Sequence, residues 1–540
     1  MFNANFATID YIIVALYMLL IIGVGLWVSR TKKGTRKTTE DYFLASKALP
    51  WWAIGASLIA ANISAEQVIG MSGSGFKVGL AIASYEFMAA LTLVIVGKYF
   101  LPIFITKGIY TIPEFVEKRF STNLRTILAV FWIALFIFVN LTSVLFLGAK
   151  AIDTIVGDAQ GGLMIPVIIL MAFVAAAYSI YGGLSAVAWT DVIQVVLLVA
   201  GGVVTTIFAL DRVTDGGIID GLRHVWEQAP DKFHMIIPQS NSKVFSELPG
   251  IAMVIGGLWV ANLYYWGFNQ YIIQRALAAK SLPEAQKGIV FAGFLKLIIP
   301  LIVVVPGIVA YVMYTEHYPG AAEAFAGVGG GDKAYPWLVS NLLPIGLKGL
   351  VVAALFAAIV SSLASMLNSV STIFTMDIFR HYVDKNASHG KLVGVGRITS
   401  IVALVIACCV APLMRNFDQM FLYIQEYTGL VSPGILAIFL VGLFWKKATN
   451  RGAITGILVS IPVALALKLL PINMPFIDQM MYTCLITLAT IVLVSLNTHN
   501  GGDDPKGIVF TDGMFKTSRS FNVSAYIVCI LLASIYVIFW

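Results

Sequence analysis

The chain has 540 residues and a net charge of +7, with 59% of its residues hydrophobic and 12% charged, and its mean hydropathy is +0.88. Soluble domains carry about 25% charged residues, so this composition excludes a soluble globular protein. The excess of base sits in particular loops rather than in a nucleic-acid-binding patch, and the four cysteines show no metal spacing.

Apolar runs long enough to cross about 30 Å of hydrocarbon recur from end to end. They predict an all-α integral membrane protein with about fourteen transmembrane helices. The first span, 10–28, follows MFNANFATID, which lacks the basic start of a cleavable signal peptide. Next comes SRTKKGTRKTTEDYF, whose lysines and arginines place the loop in the cytoplasm and the N-terminus outside. Residues 1–50 thus form an extra span and a basic loop. Spans at 51–76, 79–105, 124–149, 162–181 and 186–210 follow, then an external loop over 211–248. A second set lies at 249–273, 288–314, 346–378, 393–414 and 420–444. Residues 446–540 hold the last three spans, at 453–471, 477–496 and 522–540, and an even count returns the C-terminus to the outside.

The loops after odd-numbered spans are the basic ones: Lys118, Arg119 and Arg125; Arg275, Lys280 and Lys287; Arg380, His381 and Lys385; Lys446, Lys447 and Arg451. This pattern predicts an inner-membrane orientation with both termini outside. The loops at 211–248 and 315–346, predicted outside, carry more acid than base, and 324–337 is rich in glycine. Cys408, Cys409, Cys484 and Cys529 fall inside spans, where they read as small packing residues.

The second span holds AANISAEQ, with Asn62, Ser64, Glu66 and Gln67 at mid-depth, and so reads as a broken helix. The seventh span, five later, mixes Gly256 and Gly257 with Asn262, Tyr264 and Tyr265. A repeat of five spans is inverted in the membrane. Residues 51–210 and 249–445 therefore read as an inverted pair of five-helix repeats, the arrangement of many secondary transporters.

A charge at mid-membrane costs several kcal/mol and is kept for function or paired. Glu86, Lys296, Gln425, Glu426 and Asp191 join Asn62, Gln67 and Asn262 in a polar set spread over several spans. For one residue, a hydrogen bond between helices explains as much. For Lys98 and Glu426, near span ends, snorkelling or a salt bridge is the better reading. A converging set with two broken helices points instead to a solute site. Neutral donors and acceptors with Tyr265 as a stacking face favour a polyol. In the ninth span, AALFAAIVSSLASMLNS, the alanines Ala353, Ala354, Ala357 and Ala364 suit close helix approach. Ser361 and Ser362 could join carbonyls freed at the break in a weak oxygen cage for Na⁺. No nucleophile–base pair or metal motif stands out, so a membrane enzyme is not expected.

The stretches WWAIGASLIAANISAEQVIGMSGSG, YTIPEFVEKRF, YSIYGGLSAVAWTDVIQ, GGLWVANLYYWGFNQYIIQR, AAIVSSLASMLNS and YIQEYTGLVSPGILAIFLVGLFWKK resemble the sodium/solute symporters. Within them the chain is similar to bacterial sodium/galactose symporters related to animal sodium/glucose cotransporters. The resemblance implies fourteen spans around an inverted-repeat core and sugar uptake coupled to inward Na⁺ flow by alternating access. It implies sugar contacts at Gln67, Glu86, Asn262, Lys296 and Gln425, with Tyr265 as the stacking inner gate and Tyr264 and Trp266 beside it. It implies an outer gate of Met71, Tyr85 and Phe421, and Asn62 supporting the tyrosine. Sodium would meet the carbonyls of Ala60, Ile63 and Ala358 and the hydroxyls of Ser361 and Ser362, and Asp191 would lie on the ion exit route. Two positions depart. Ala89 stands where the galactose symporter has a serine contact, and Ala364 where some relatives build a second sodium site, so a one-sodium cycle is expected. The alternatives are a symporter for another polyol, such as glucose, an inositol or a sialic acid, and a sensor or leak channel on the same fold.

Overall fold

The computed structural model describes all residues except 1–5, 31–36, 65, 158–161, 241, 326–329, 417–419, 471–473 and 500. Lys32, Lys33 and Arg36 of the basic loop, and part of the glycine-rich loop at 324–337, lie outside the described residues. The described residues contain no strand, and an isolated bridge joins Leu49 to Ala279.

The membrane helices are α1 (Thr8–Val28), a bent pair α2 (Trp51–Asn62) and α3 (Glu66–Lys77), α4 (Leu80–Thr106), α5 (Thr122–Val156), α6 (Met164–Gly182), α7 (Leu184–Thr214) and α8 (Gly250–Phe268). The eighth leads into a short α9 (Gln270–Leu277). Then come α10 (Leu282–Thr315), α11 (Leu347–Val383) and α12 (His389–Met414), and α13 (Met420–Phe444). The last three are α14 (Asn450–Leu469), α15 (Phe476–Thr498) and α16 (Arg519–Ile538). Thirteen described helices are long and apolar enough to cross a membrane, or fourteen when the bent pair counts as one span. The all-α membrane expectation is met, and the expected spans match these helices closely.

Helix α11 is buried along nearly its whole length, with α7 and α2 packed on it, and α10 packs on α7 and α2. Small residues make that closeness possible. A Cβ on Gly201 of α7 would come within 2.8 Å of the Ala354 Cβ on α11, so Ala354 of the ninth span serves close approach. Where α10 meets α3, a Cβ on Gly307 would sit 2.0 Å from the Ser72 carbonyl.

Buried ionic groups fasten helix ends. Asp10 of α1 is fully buried, and its Oδ1 accepts from the backbone of Gly346 at 2.7 Å and Gly349 at 2.8 Å. A carboxylate there satisfies orphan donors at the N-terminus of α11 and complements its dipole. Arg119 does the converse, donating to the carbonyls of Gly442, Trp445 and Ala448 at 3.0 Å each, at the C-terminus of α13.

These contacts amend the charge map. Arg119, Arg125 and Arg275 count as loop bases in the sequence, yet all three are buried. Arg125 donates to Asp377 at 2.7 Å, and Thr111 donates to the same oxygen at 2.9 Å. Glu426 pairs with Lys468 at 3.1 Å, as its place near a span end suggested. Cys484 is buried, but Cys409 is exposed, so it does not pack inside the bundle.

Candidate functional site

The break in the second span is real: α2 and α3 meet at 64°. Helix α2 ends at Asn62, and Ile63 takes an extended conformation with ψ of 97°. The carbonyls of the last turn lose their usual partners there. Ile59 keeps one, from the Ile63 N–H at 2.8 Å. The Ser64 N–H turns instead to Gln67 Oε1 at 3.1 Å, and the Ser64 hydroxyl donates to the same atom at 3.1 Å. Residues Glu66–Met71 then continue as a π-helical stretch, a distortion common at functional sites.

The seventh span is interrupted twice. Gly256 departs from helix with φ −117° and ψ −108°, as its small residues suggested. Asn269 interrupts again with ψ of 120°, between α8 and α9. The second break, not the first, adjoins the polar cavity.

That cavity is lined by Gln67, Glu86, Asn262, Tyr265 and Gln425, so five of the six expected sugar-contact residues come together. Asn62, Tyr85, Tyr264, Trp266 and Phe421 line it too. Tyr85 and Phe421 meet edge to face with ring centroids 5.3 Å apart. Met71 is fully buried, but it is not part of the lining.

Lys296, the sixth expected contact, is buried behind the wall. Its ammonium donates to Glu86 Oε2 and to Asn62 Oδ1, and lies 5.0 Å from the Trp266 ring centroid. Asn62 in turn donates to the Tyr265 hydroxyl at 2.9 Å, which shares a 2.5 Å hydrogen bond with the Tyr271 hydroxyl. A chain of polar contacts therefore runs from Glu86 on α4 through Lys296 and the helix break to the tyrosine pair. Any ligand that moves Glu86 or Tyr265 acts on the break itself.

The proposed cation cage lies on the other side of α2. The Ser362 hydroxyl donates to the Ala61 carbonyl at 3.0 Å, placing α11 against the frayed turn that carries Ala60 and Ile63. Ala358 and Ser361 are buried on the same helix. The Ser361 hydroxyl donates to Asp191 Oδ1 at 2.5 Å. With its hydrogen committed to a carboxylate, its lone pairs are free to face a cation. Asp191 is also held by the Ser57 hydroxyl at 2.5 Å and by Arg275 at 3.2 Å. Arg275 donates to Ser57 Oγ at 2.7 Å and to Ser365. The donor set is oxygen only, with no His or Cys, which suits a hard cation and not a transition metal.

Sequence reasoning missed several residues here. Asn140, Asn269 and Ser432 also line the cavity, as does Glu66, which the sequence marked only as part of the break. Tyr271, Ala61, Ser57 and Arg275 belong to the contacts around it. Asn140 stands mid-span in FIFVNLTSV, and the cost argument that flagged Glu86 applies to it equally. Arg275 was masked by its place near a span end, where a base reads as a loop charge.

Residues 42–460 match the sodium:solute symporter family. The chain is 62% identical to the sodium/glucose cotransporter of Vibrio parahaemolyticus over 98% of each protein. It is 35% identical to the human sodium/myo-inositol cotransporter, over 83% of this chain and 65% of the other. Among solved structures, it resembles a substrate-bound, outward-open Na⁺-coupled sialic acid symporter. The TM-score is 0.79 at 24% identity, covering 91% of this chain and 98% of that one, a likeness of fold. The family match over most of the length, together with the close Vibrio relative, makes this chain a member of the sodium:solute symporter family.

Proposed function

We propose that the protein carries a sugar, galactose or glucose, into the cell together with Na⁺ by alternating access. The observation that carries this reading is the double engagement of one short broken segment. Asn62 and Gln67 face the polar cavity, while the Ala61 carbonyl beside them meets Ser362 of the oxygen cage. Coupling requires that each ligand stabilise a state the other also prefers, and a shared, bistable segment supplies that link. The sodium/glucose name of the Vibrio relative supports a hexose.

In this reading the carbonyls of Ala60, Ile63 and Ala358 and the hydroxyls of Ser361 and Ser362 hold one Na⁺, and Asp191 lies on its way out. Gln67, Glu86, Asn262, Lys296 and Gln425 take the sugar hydroxyls. Tyr265 stacks on the ring from below, with Tyr264 and Trp266 at its flanks, and Met71, Tyr85 and Phe421 close above. Na⁺ at the break favours the outward-open form, sugar fills the cavity, and release of both resets the cycle. Residues 51–210 and 249–445 act as inverted five-helix repeats, with the first span and last three around them. The protein sits in the inner membrane with both termini outside.

A second reading follows from Ala89. Its methyl lines the cavity one turn from Glu86, so a hydroxyl partner is missing and the preferred polyol shifts, toward an inositol or a sialic acid. Uptake of labelled galactose into proteoliposomes under an inward Na⁺ gradient, against an equal K⁺ gradient, tests both. Na⁺-only accumulation competed by hexoses supports the first reading. Competition by myo-inositol alone supports the second. Uptake under neither gradient removes galactose.

A further inference from the structure

We propose that Asn140, Asn269 and Ser432 form a second polyol station, about 10 Å along the helices from the layer of Asn262 and Gln425, which receives the sugar on its way to the cytoplasm. This rests on the sugar-symport reading above and adds a site to it.

All three residues line the same cavity, and they are 5%, 2% and 0% exposed. Asn140 Oδ1, Asn269 Oδ1 and Ser432 Oγ have no hydrogen-bond partner in the protein. Buried polar atoms in native structures are almost always satisfied, and leaving one dry is costly. Three together on one cavity wall await donors from something that enters it. None of the three carries a charge, so they suit hydroxyl groups rather than a carboxylate or an ammonium.

The backbone places each by a different distortion. Asn140 lies in the π-helical stretch Phe136–Leu141 of α5. Asn269 is the break between α8 and α9. Ser432 precedes Pro433 inside α13, and a proline withholds an N–H and opens the ladder. Three independent helix defects meet on the lining of one cavity, and such defects are kept where function requires them.

The spacing makes it a separate layer. Asn269 lies seven residues after Asn262, and Ser432 seven after Gln425. At 1.5 Å per residue each step is about 10 Å. Helices α8 and α13 pack against each other, and as spans seven and eleven they cross in the same direction. The second layer is thus displaced the same way on both, toward the cytoplasmic side in the orientation proposed above. A sugar leaving Gln67 and Glu86 would exchange its partners for these three rather than cross a dry gap.

The test compares equilibrium binding with release. Asn140→Ala, Asn269→Ala, Ser432→Ala and the triple variant are reconstituted. Galactose affinity is measured at saturating Na⁺, and galactose efflux from preloaded proteoliposomes alongside it. The expected result is affinity within about twofold of the parent protein and efflux slowed roughly fivefold per lost hydrogen bond, further in the triple variant. Asn140→Ser keeps an oxygen acceptor and should restore much of the rate. Unchanged efflux in every variant would mean that water alone occupies this layer, and overturns the station. A parallel loss of affinity and efflux would merge the residues with the primary site, and overturns it too. Failure of Asn140→Ser to recover while the protein stays folded points to a structural role instead. If the parent protein neither binds nor exchanges galactose, the sugar reading fails first, a result distinct from all of these.

Discussion

Arg275 of α9 reaches Asp191 of α7 at 3.2 Å where the two side chains are 1% and 0% exposed. Ser57 of α2 bridges them, accepting from the guanidinium at 2.7 Å and donating to the carboxylate at 2.5 Å. One ion pair therefore ties α9, the helix after the Asn269 break, to α7, and Ser57 joins α2, the helix before the first break, to both. Removing one partner of a buried pair costs about 3–5 kcal/mol, because the other charge is left uncompensated. Arg275→Met is expected to lower the thermal midpoint in detergent by several degrees and to abolish most uptake. Asp191→Asn should cost less, since its one amide oxygen still accepts from either Ser57 or Ser361. The double variant should recover part of the stability lost in Arg275→Met. A double variant no more stable than that single one would show that the pair is not what holds the two helices.

Ser362 donates to the Ala61 carbonyl, whereas Ser361 is committed to Asp191. The two hydroxyls are adjacent in sequence, but only Ser362 touches the broken turn. Ser362→Ala removes one cation ligand and one tether to that turn. The Na⁺ concentration for half-maximal uptake is expected to rise roughly tenfold, the equivalent of about 1.4 kcal/mol. Sugar affinity at saturating Na⁺ should change little. Ser362→Thr, which keeps the hydroxyl, serves as the rescue. Equal Na⁺ dependence in the serine, alanine and threonine forms would remove Ser362 from the cage.

The helices and the first break were legible in the sequence because both rest on strong local signals. A run of about twenty apolar residues reads as a span whatever surrounds it. Four polar residues at the centre of such a run, as in AANISAEQ, cannot be ignored. The place of Lys296 was less legible. Its span was clear, but its engagement with Glu86 and Asn62 depends on how three helices rotate against one another, and periodicity does not fix that. Arg275 was misread for a related reason: α9 continues the seventh span after Asn269 and carries the base into the protein. Asn269 itself gave no composition signal, since a single asparagine beside a glutamine resembles an ordinary span end.

Gln67 has two tasks that one substitution can separate. Its Oε1 accepts from the backbone and hydroxyl of Ser64, which shapes the break. Its amide nitrogen remains available to a ligand in the cavity. Gln67→Ala loses both, so sugar affinity should fall roughly tenfold or more, with a small loss of stability from the unpaired Ser64. Gln67→Glu keeps the acceptor and loses the donor. Sugar affinity should fall in Gln67→Glu as well, while the Na⁺ dependence of uptake stays close to the parent protein's. Isothermal binding with galactose at fixed Na⁺ checks this. A Gln67→Glu protein that binds sugar normally would mean that Gln67 acts only on the break.

Lys232, in the segment between α7 and α8, donates to the Lys77 carbonyl at the end of α3 at 2.5 Å and lies 4.2 Å from the Tyr311 ring centroid. Burial pushes its pKa down from 10.5 to about 8, against the opposing pull of Asp231. Between those two values the unfolded chain holds a proton that the folded protein has released, so stability should rise with pH across that window. Below pH 8 both states are charged, and the folded state bears the desolvation. The gain is of the order of 2 kcal/mol between pH 8 and pH 10.5. Lys232→Met has no such proton to lose. Subtracting its thermal midpoints from the parent protein's, pH by pH, isolates this one group from every other titration. The difference should climb in favour of the parent protein from pH 8 upward. A flat difference would show that the Lys232 ammonium stays protonated in the fold, held by Lys77 and the Tyr311 ring more strongly than burial disfavours it.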